Sequence, residues 1–129
     1  MNKKLLFIAI LIIIIGGGFT QVFLLKDKTN NVVGEFTLSD YQYFLDNYPS
    51  DKSVKEIDNA DEAKIQAEKL WIEIFEKKEI KWEKPYNVSY DPSNKVWLVY
   101  GSLPKNYLGG VAYILIQQNG KVLAIWHEK

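Results

Sequence analysis

The 129-residue chain has no cysteine and no arginine, one histidine (His127) and no methionine beyond Met1. Lacking cysteine, it cannot build a disulfide framework, a thiolate nucleophile or a lipid-modified N-terminal cysteine. Lacking arginine, it has no bidentate fork with which to grip phosphate or carboxylate. A lone histidine cannot assemble a zinc site, and a catalytic triad needs partners this chain does not supply. No catalytic, metal-binding or cofactor-binding residues are therefore expected. A basic excess is also missing. Lys and Arg total 16 against 16 Asp and Glu, and beyond Lys28 there are 12 Lys against 15 acids, a net of −3. A nucleic-acid binder needs a basic stripe to displace counterions from phosphates, so nucleic acid is excluded as a partner.

One long apolar run is present. Leu5 to Leu25 spans 21 residues whose only polar members are Thr20 and Gln21. As a helix it would cover roughly 30 Å, the thickness of a hydrocarbon core. Residues 1–28 are read as a membrane anchor, because apolar residues continue past Gly16-Gly17-Gly18 to the charges at Lys26 and Lys28. A cleaved signal peptide ending at those glycines is the competing reading. The lysines balance at two on each side, and the free amino terminus tips the N-terminus inside. The expectation is a single-pass membrane protein with its C-terminal domain outside the cytoplasm.

Residues 29–56 read as a polar linker followed by a short amphipathic helix over Phe36 to Tyr48, with Thr37 and Ser39 as caps and Pro49 as its stop. Residues 57–129 read as the folded domain. Asn59 is a candidate N-cap with Glu62 three positions on. Ala63, Ala67, Leu70, Trp71, Ile74 and Phe75 then form one apolar stripe, and the charges Glu76 to Glu79 end the helix. Branched and aromatic runs near Tyr86–Tyr90, Lys95–Gly101, Val111–Gln117 and Lys121–Trp126 predict four strands. Asp91-Pro92-Ser93-Asn94 supplies a turn, and Asn119-Gly120 is the strongest short-range hairpin signal. The fold class expected is α+β, with a curved antiparallel sheet of about four strands packed on one long helix.

Local chemistry offers little. His127 reads as an exposed strand-end histidine, Gly109-Gly110 as a turn feeding a strand, and Asp91 beside Tyr90 as turn chemistry before an acid–tyrosine pair. The aromatics on or beside the sheet are more informative: Trp97, Tyr100, Tyr107, Tyr113 and Trp126. Alternation puts Trp97 and Val99 on one face and Val96, Leu98 and Tyr100 on the other. One helix covers one face. The other is either an open aromatic binding surface, which would make these five residues the partner-binding set, or is covered by the short N-terminal helix.

Ala60-Asp61-Glu62-Ala63 opens a helix carrying Leu70-Trp71. It is followed by Lys84-Pro85-Tyr86, Val96-Trp97-x-Val99-x-Gly101-x-Leu103-Pro104, Tyr107-Leu108-Gly109-Gly110-Val111-Ala112-Tyr113 and Gly120-Lys121-Val122-Leu123. In that order these motifs resemble the NTF2-fold immunity proteins of bacterial polymorphic toxin systems, over about Asn59 to Lys129. The resemblance implies a cone-like α+β fold, no catalysis, and an antidote that binds and neutralises a cognate protein toxin. The family pattern often has Tyr-Gly where this chain has Phe75-Glu76-Lys77. With the apolar N-terminus, the expectation is a membrane-tethered immunity protein, tied to the membrane by its N-terminal helix. An acidic folded part suits a basic toxin by electrostatic steering. The alternative is an extracytoplasmic small-ligand-binding or enzymatic domain of the same fold, with a pocket between helix and sheet.

Overall fold

A computed structural model describes residues 33–105 and 107–129, and residues 34–129 form one compact unit. Its elements follow the order β1 (Gly34–Glu35), a 3₁₀ turn (Leu38–Tyr41), α1 (Gln42–Asn47), α2 (Ala60–Ile74), α3 (Lys77–Trp82), β2 (Asn87–Asp91), β3 (Val96–Tyr100), β4 (Ala112–Gln117) and β5 (Val122–His127).

Helix α2 begins where the sequence places it. Asn59 takes an extended conformation and its side chain accepts the Glu62 N–H at 2.9 Å, satisfying one of the orphan donors of the first turn. Ala63, Ala67, Leu70 and Trp71 are buried, whereas Ile74 is 44% exposed because the helix ends there. The alanines let α2 lie close on the sheet, and Trp71 fills the space. Its indole N–H donates to the Tyr113 carbonyl at 3.2 Å, and its ring meets Tyr86 edge-on at 5.2 Å. Lys77 to Trp82, where the sequence suggested only a charged helix end, forms the separate helix α3, anchored by fully buried Ile80. The Tyr86 hydroxyl ties α3 to α2 by donating to Glu68 Oε2 at 2.6 Å. Burial and that bond push the Tyr86 phenol well above its ordinary range.

The sheet runs β1-β2-β3-β4-β5, antiparallel throughout except for β1, which lies parallel to β2. Five strands, not four, is a correction to the sequence expectation. The added strand is the two-residue Gly34–Glu35, which carries no propensity signal and exists only because β2 offers it an edge. A register shift at Leu115/Ile116 adds a bulge between β4 and β5. At the β4–β5 turn Gly120 has φ +98° and its N–H donates to the Gln117 carbonyl at 2.8 Å, while Asn119 keeps a negative φ. The link is thus the longer hairpin type with a left-handed glycine, not a two-residue turn. A Cβ on Gly120 would also strike the Val54 carbonyl, so no other residue fits.

The segment from Tyr48 to Ile57 runs along the outer edge of β5. Ile125 N–H donates to Tyr48, Ser50 N–H to Leu123, Val122 N–H to Lys52 and Val54 N–H to Gly120. This strap occupies backbone groups that would otherwise form an open sheet edge.

The transmembrane helix and single-pass location expected from the sequence are also corrected. Among the described residues no helix is long and apolar enough to cross a membrane, and the Leu5–Leu25 stretch on which both rested lies outside the described residues.

Candidate functional site

The structure separates the five aromatics that the sequence grouped. Tyr100 pairs with Tyr113, and Tyr113 with Trp126, across β3, β4 and β5. Direct cross-strand pairing stacks their rings: 5.5 Å and 16° between Tyr100 and Tyr113, 5.0 Å and 2° between Tyr113 and Trp126. Phe44 of α1 continues the row at 4.2 Å and 10° from Trp126. Of the two possibilities left open for this face, cover by the short N-terminal helix is the one adopted. Phe36, Leu38, Tyr41, Phe44 and Leu45 pack on Val96, Leu98, Leu115 and Trp126. The phenols of Tyr41 and Tyr113 are raised, mainly by burial, with Glu128 adding to the shift. Trp97 points to the opposite face against Tyr90, ring centroids 4.6 Å apart. Trp126 and Trp97 are buried, Tyr100 and Tyr113 half-buried, and Tyr107 is 55% exposed.

What holds the short N-terminal helix down is Asp91. Thr37 makes no side-chain capping bond. Instead Asp91 Oδ2, from 53 residues along the chain, accepts the Leu38 N–H at 2.8 Å. The same carboxylate accepts the Ser93 and Asn94 N–H groups and the Asn94 side-chain amide at 2.9–3.1 Å. Asp91 and Tyr90 do not pair, since the Tyr90 hydroxyl donates to Gln118 Oε1 at 2.6 Å.

His127 is not a free strand end. Its Nε2 lies 2.7 Å from Oε2 of Glu83, a buried carboxylate at the end of α3 that sequence reasoning passed over. Glu83 Oε1 accepts the Ala112 N–H at 2.8 Å, and His127 Nδ1 lies 2.7 Å from the Glu128 carbonyl. Both ring nitrogens are thus engaged within the fold, Nδ1 with a backbone carbonyl and Nε2 with the carboxylate. Gly101 makes room for Glu83, because a Cβ there would collide with its side chain. The pair is a latch joining α3, the start of β4 and the end of β5. His127→Ala should therefore cost about 2 kcal/mol in chemical denaturation, with His127→Gln milder because it keeps a donor. Equal stability of wild type and His127→Ala would show that the latch carries no load.

The helix–sheet interface, where a ligand pocket was the alternative expectation, is filled by fully buried Trp71, Val99, Ile114 and Ile116. A groove of about 540 Å³ lies elsewhere, lined by Tyr48, Lys52, Ile74, Phe75, Ile125 and His127. Among the described residues no cluster of His, Asp or Glu could hold a metal ion.

An exposed apolar surface forms where α3 meets the loop after β3. The Ser102 N–H donates to the Glu83 carbonyl at 2.7 Å and the Ser102 hydroxyl to Pro85 at 2.6 Å, folding that loop back on α3. Trp82 and Tyr107, each 55% exposed, meet edge-to-face at 4.9 Å, with Leu108 98% exposed beside Tyr107 in sequence. Tyr107 was singled out from sequence. Trp82 is not among the aromatics that the strand pattern selects. The signal available was its spacing from Ile80, which puts one residue inward and the other outward.

A family model described as NTF2 fold immunity protein matches residues 63–129, from the first turn of α2 to the C-terminus. No curated protein and no solved structure matches the chain. The match takes in Trp82, Glu83, Tyr107 and His127 and covers just over half the sequence, and the chain belongs to the family of NTF2-fold immunity proteins.

Proposed function

We propose that this protein is the antidote of a toxin–immunity pair, binding a cognate protein toxin and blocking it without catalysis. The observation that carries this is the family match over residues 63–129. Two features support it. The Glu83–His127 pair ties α3 to the ends of β4 and β5. The matched region also presents exposed aromatics, the residue type enriched at interface hot spots. Of the five aromatics expected to contact the partner, Tyr107 is proposed as the direct contact, with Trp97, Tyr100, Tyr113 and Trp126 building the sheet behind it. Residues 57–129 are proposed as the binding domain, with the segment from Leu38 to Asn47 as its necessary cover. A small-ligand role is the second possibility, favoured by the groove beside His127.

The test is growth rescue. A toxin domain encoded beside this gene should arrest growth when expressed alone, and co-expression of the full chain should restore it, with one-to-one binding by calorimetry. Arrest that persists despite soluble, folded antidote would sink the proposal.

A further inference from the structure

Net charge conceals a segregation along the folded chain. Residues 34–76 carry 4 Lys against 11 acids, whereas residues 77–129 carry 8 Lys against 4 acids, a net of +4. Two of those four acids, Glu83 and Asp91, are buried and bonded within the fold. The lysines of the acidic half are largely neutralised: Lys52 pairs with Glu73, Lys55 with Glu62 and Lys64 with Asp61. Around the Trp82–Tyr107 surface the pattern is the reverse. Lys77, Lys78, Lys81 and Lys105 are exposed, and none has an ion-pair partner among the described residues.

Their positions follow from the backbone. Lys78 precedes Trp82 by four residues in α3, so the two share a side of the helix, and Lys81 adjoins Trp82. Lys105 lies in the turn closed by the Tyr107 N–H on the Pro104 carbonyl. The acids nearby are Glu76, Glu79 and Glu68, the last paired with Lys84 and also within reach of the Lys81 charge, and against them Lys77, Lys78, Lys81, Lys84 and Lys105 leave the region basic. Exposed Trp, Tyr and Leu side chains with unpaired lysines at the margin make an apolar anchor site with a cationic rim. Truncating Trp or Tyr at a desolvated centre typically costs most of the binding energy, while rim charges set the encounter rate.

We infer that the surface formed by Trp82, Tyr107 and Leu108, rimmed by Lys78, Lys81 and Lys105, docks an acidic face of a protein partner. The partner is the toxin, so the inference rests on the immunity function proposed above. It assigns the contact to the α3 end of the sheet and gives the partner's complementary charge, opposite to the sign that overall composition suggests.

The experiment uses the full chain and the toxin domain encoded beside its gene, with association and dissociation followed by a surface-based kinetic assay. Trp82→Ala and Tyr107→Ala are each expected to weaken binding by about 30-fold, mostly through faster dissociation. The double substitution Lys78→Glu with Lys105→Glu should slow association about 10-fold and flatten its dependence on salt. Ile65→Ala, an exposed apolar residue of α2, is the control expected to bind as wild type. Circular dichroism melts establish that each variant is folded. If wild type binds and the Trp82 and Tyr107 variants bind within twofold of it, the docking surface is wrong while the immunity function stands. Faster association by the double charge reversal would overturn the acidic partner face. If wild type neither binds nor rescues growth, the immunity function falls, and this inference with it.

Discussion

Trp126→Ala should destabilise the fold by about 3–5 kcal/mol, the range for truncating a buried large aromatic, against a total of roughly 5–15 kcal/mol for a domain of this kind. The size follows from its surroundings. Trp126 is 3% exposed and stacks between Tyr113 of β4 and Phe44 of α1, with Tyr41 6.3 Å away. Removing the indole leaves a cavity between the sheet and its cover, and the row of rings from Tyr100 to Phe44 is broken between Tyr113 and Phe44. Trp126→Phe, which keeps a stacking ring, should cost far less. The measurement is guanidinium denaturation followed by far-ultraviolet circular dichroism, since removing an indole disturbs a fluorescence signal. Near wild-type stability with abolished toxin binding would mean that Trp126 acts at the interface and not in the core.

Asp91→Ala is expected to cost about 3 kcal/mol at neutral pH, because four donors lose one carboxylate at a stroke. One of them is the first N–H of the Leu38–Tyr41 turn, so hydrogen exchange across Leu38 to Asn47 should quicken more than exchange in α2. The effect also depends on pH. Burial alone would raise the Asp91 carboxyl, but the hydrogen bonds from Asn94, Leu38 and Ser93 outweigh it and hold the group below its ordinary 3.8. A folded-state value lower than the unfolded one means that the stabilisation is present in full above the unfolded value and is lost as pH falls through the folded one. The stability gap between wild type and Asp91→Asn should therefore be constant near neutrality and shrink below about pH 4, where wild type begins to bind the proton on unfolding. A gap that widens on acidification would contradict this account.

The sequence by itself determined what local physics governs. Alternation of Val96 to Tyr100 and Ala112 to Gln117 assigned side chains to sheet faces, because pleating has a fixed period of two. The Asn59–Glu62 spacing marked the start of α2, because a helix N-terminus needs an acceptor at that offset. Motif order along residues 59–129 indicated the family, and the match over residues 63–129 agrees. Tertiary structure decided everything that joins distant residues. Gly34–Glu35 became a strand because β2 presented hydrogen-bonding groups, not through any preference of its own. Leu38 found its cap in Asp91 rather than in neighbouring Thr37. His127 met Glu83, 44 residues away, through a gap left by Gly101. Trp126, whose face the sequence left open between a partner and the N-terminal helix, stacks on Phe44. Periodicity tells which side of an element is apolar, but not what covers it. Cover depends on where a separate segment of chain lies, and only long-range contacts fix that.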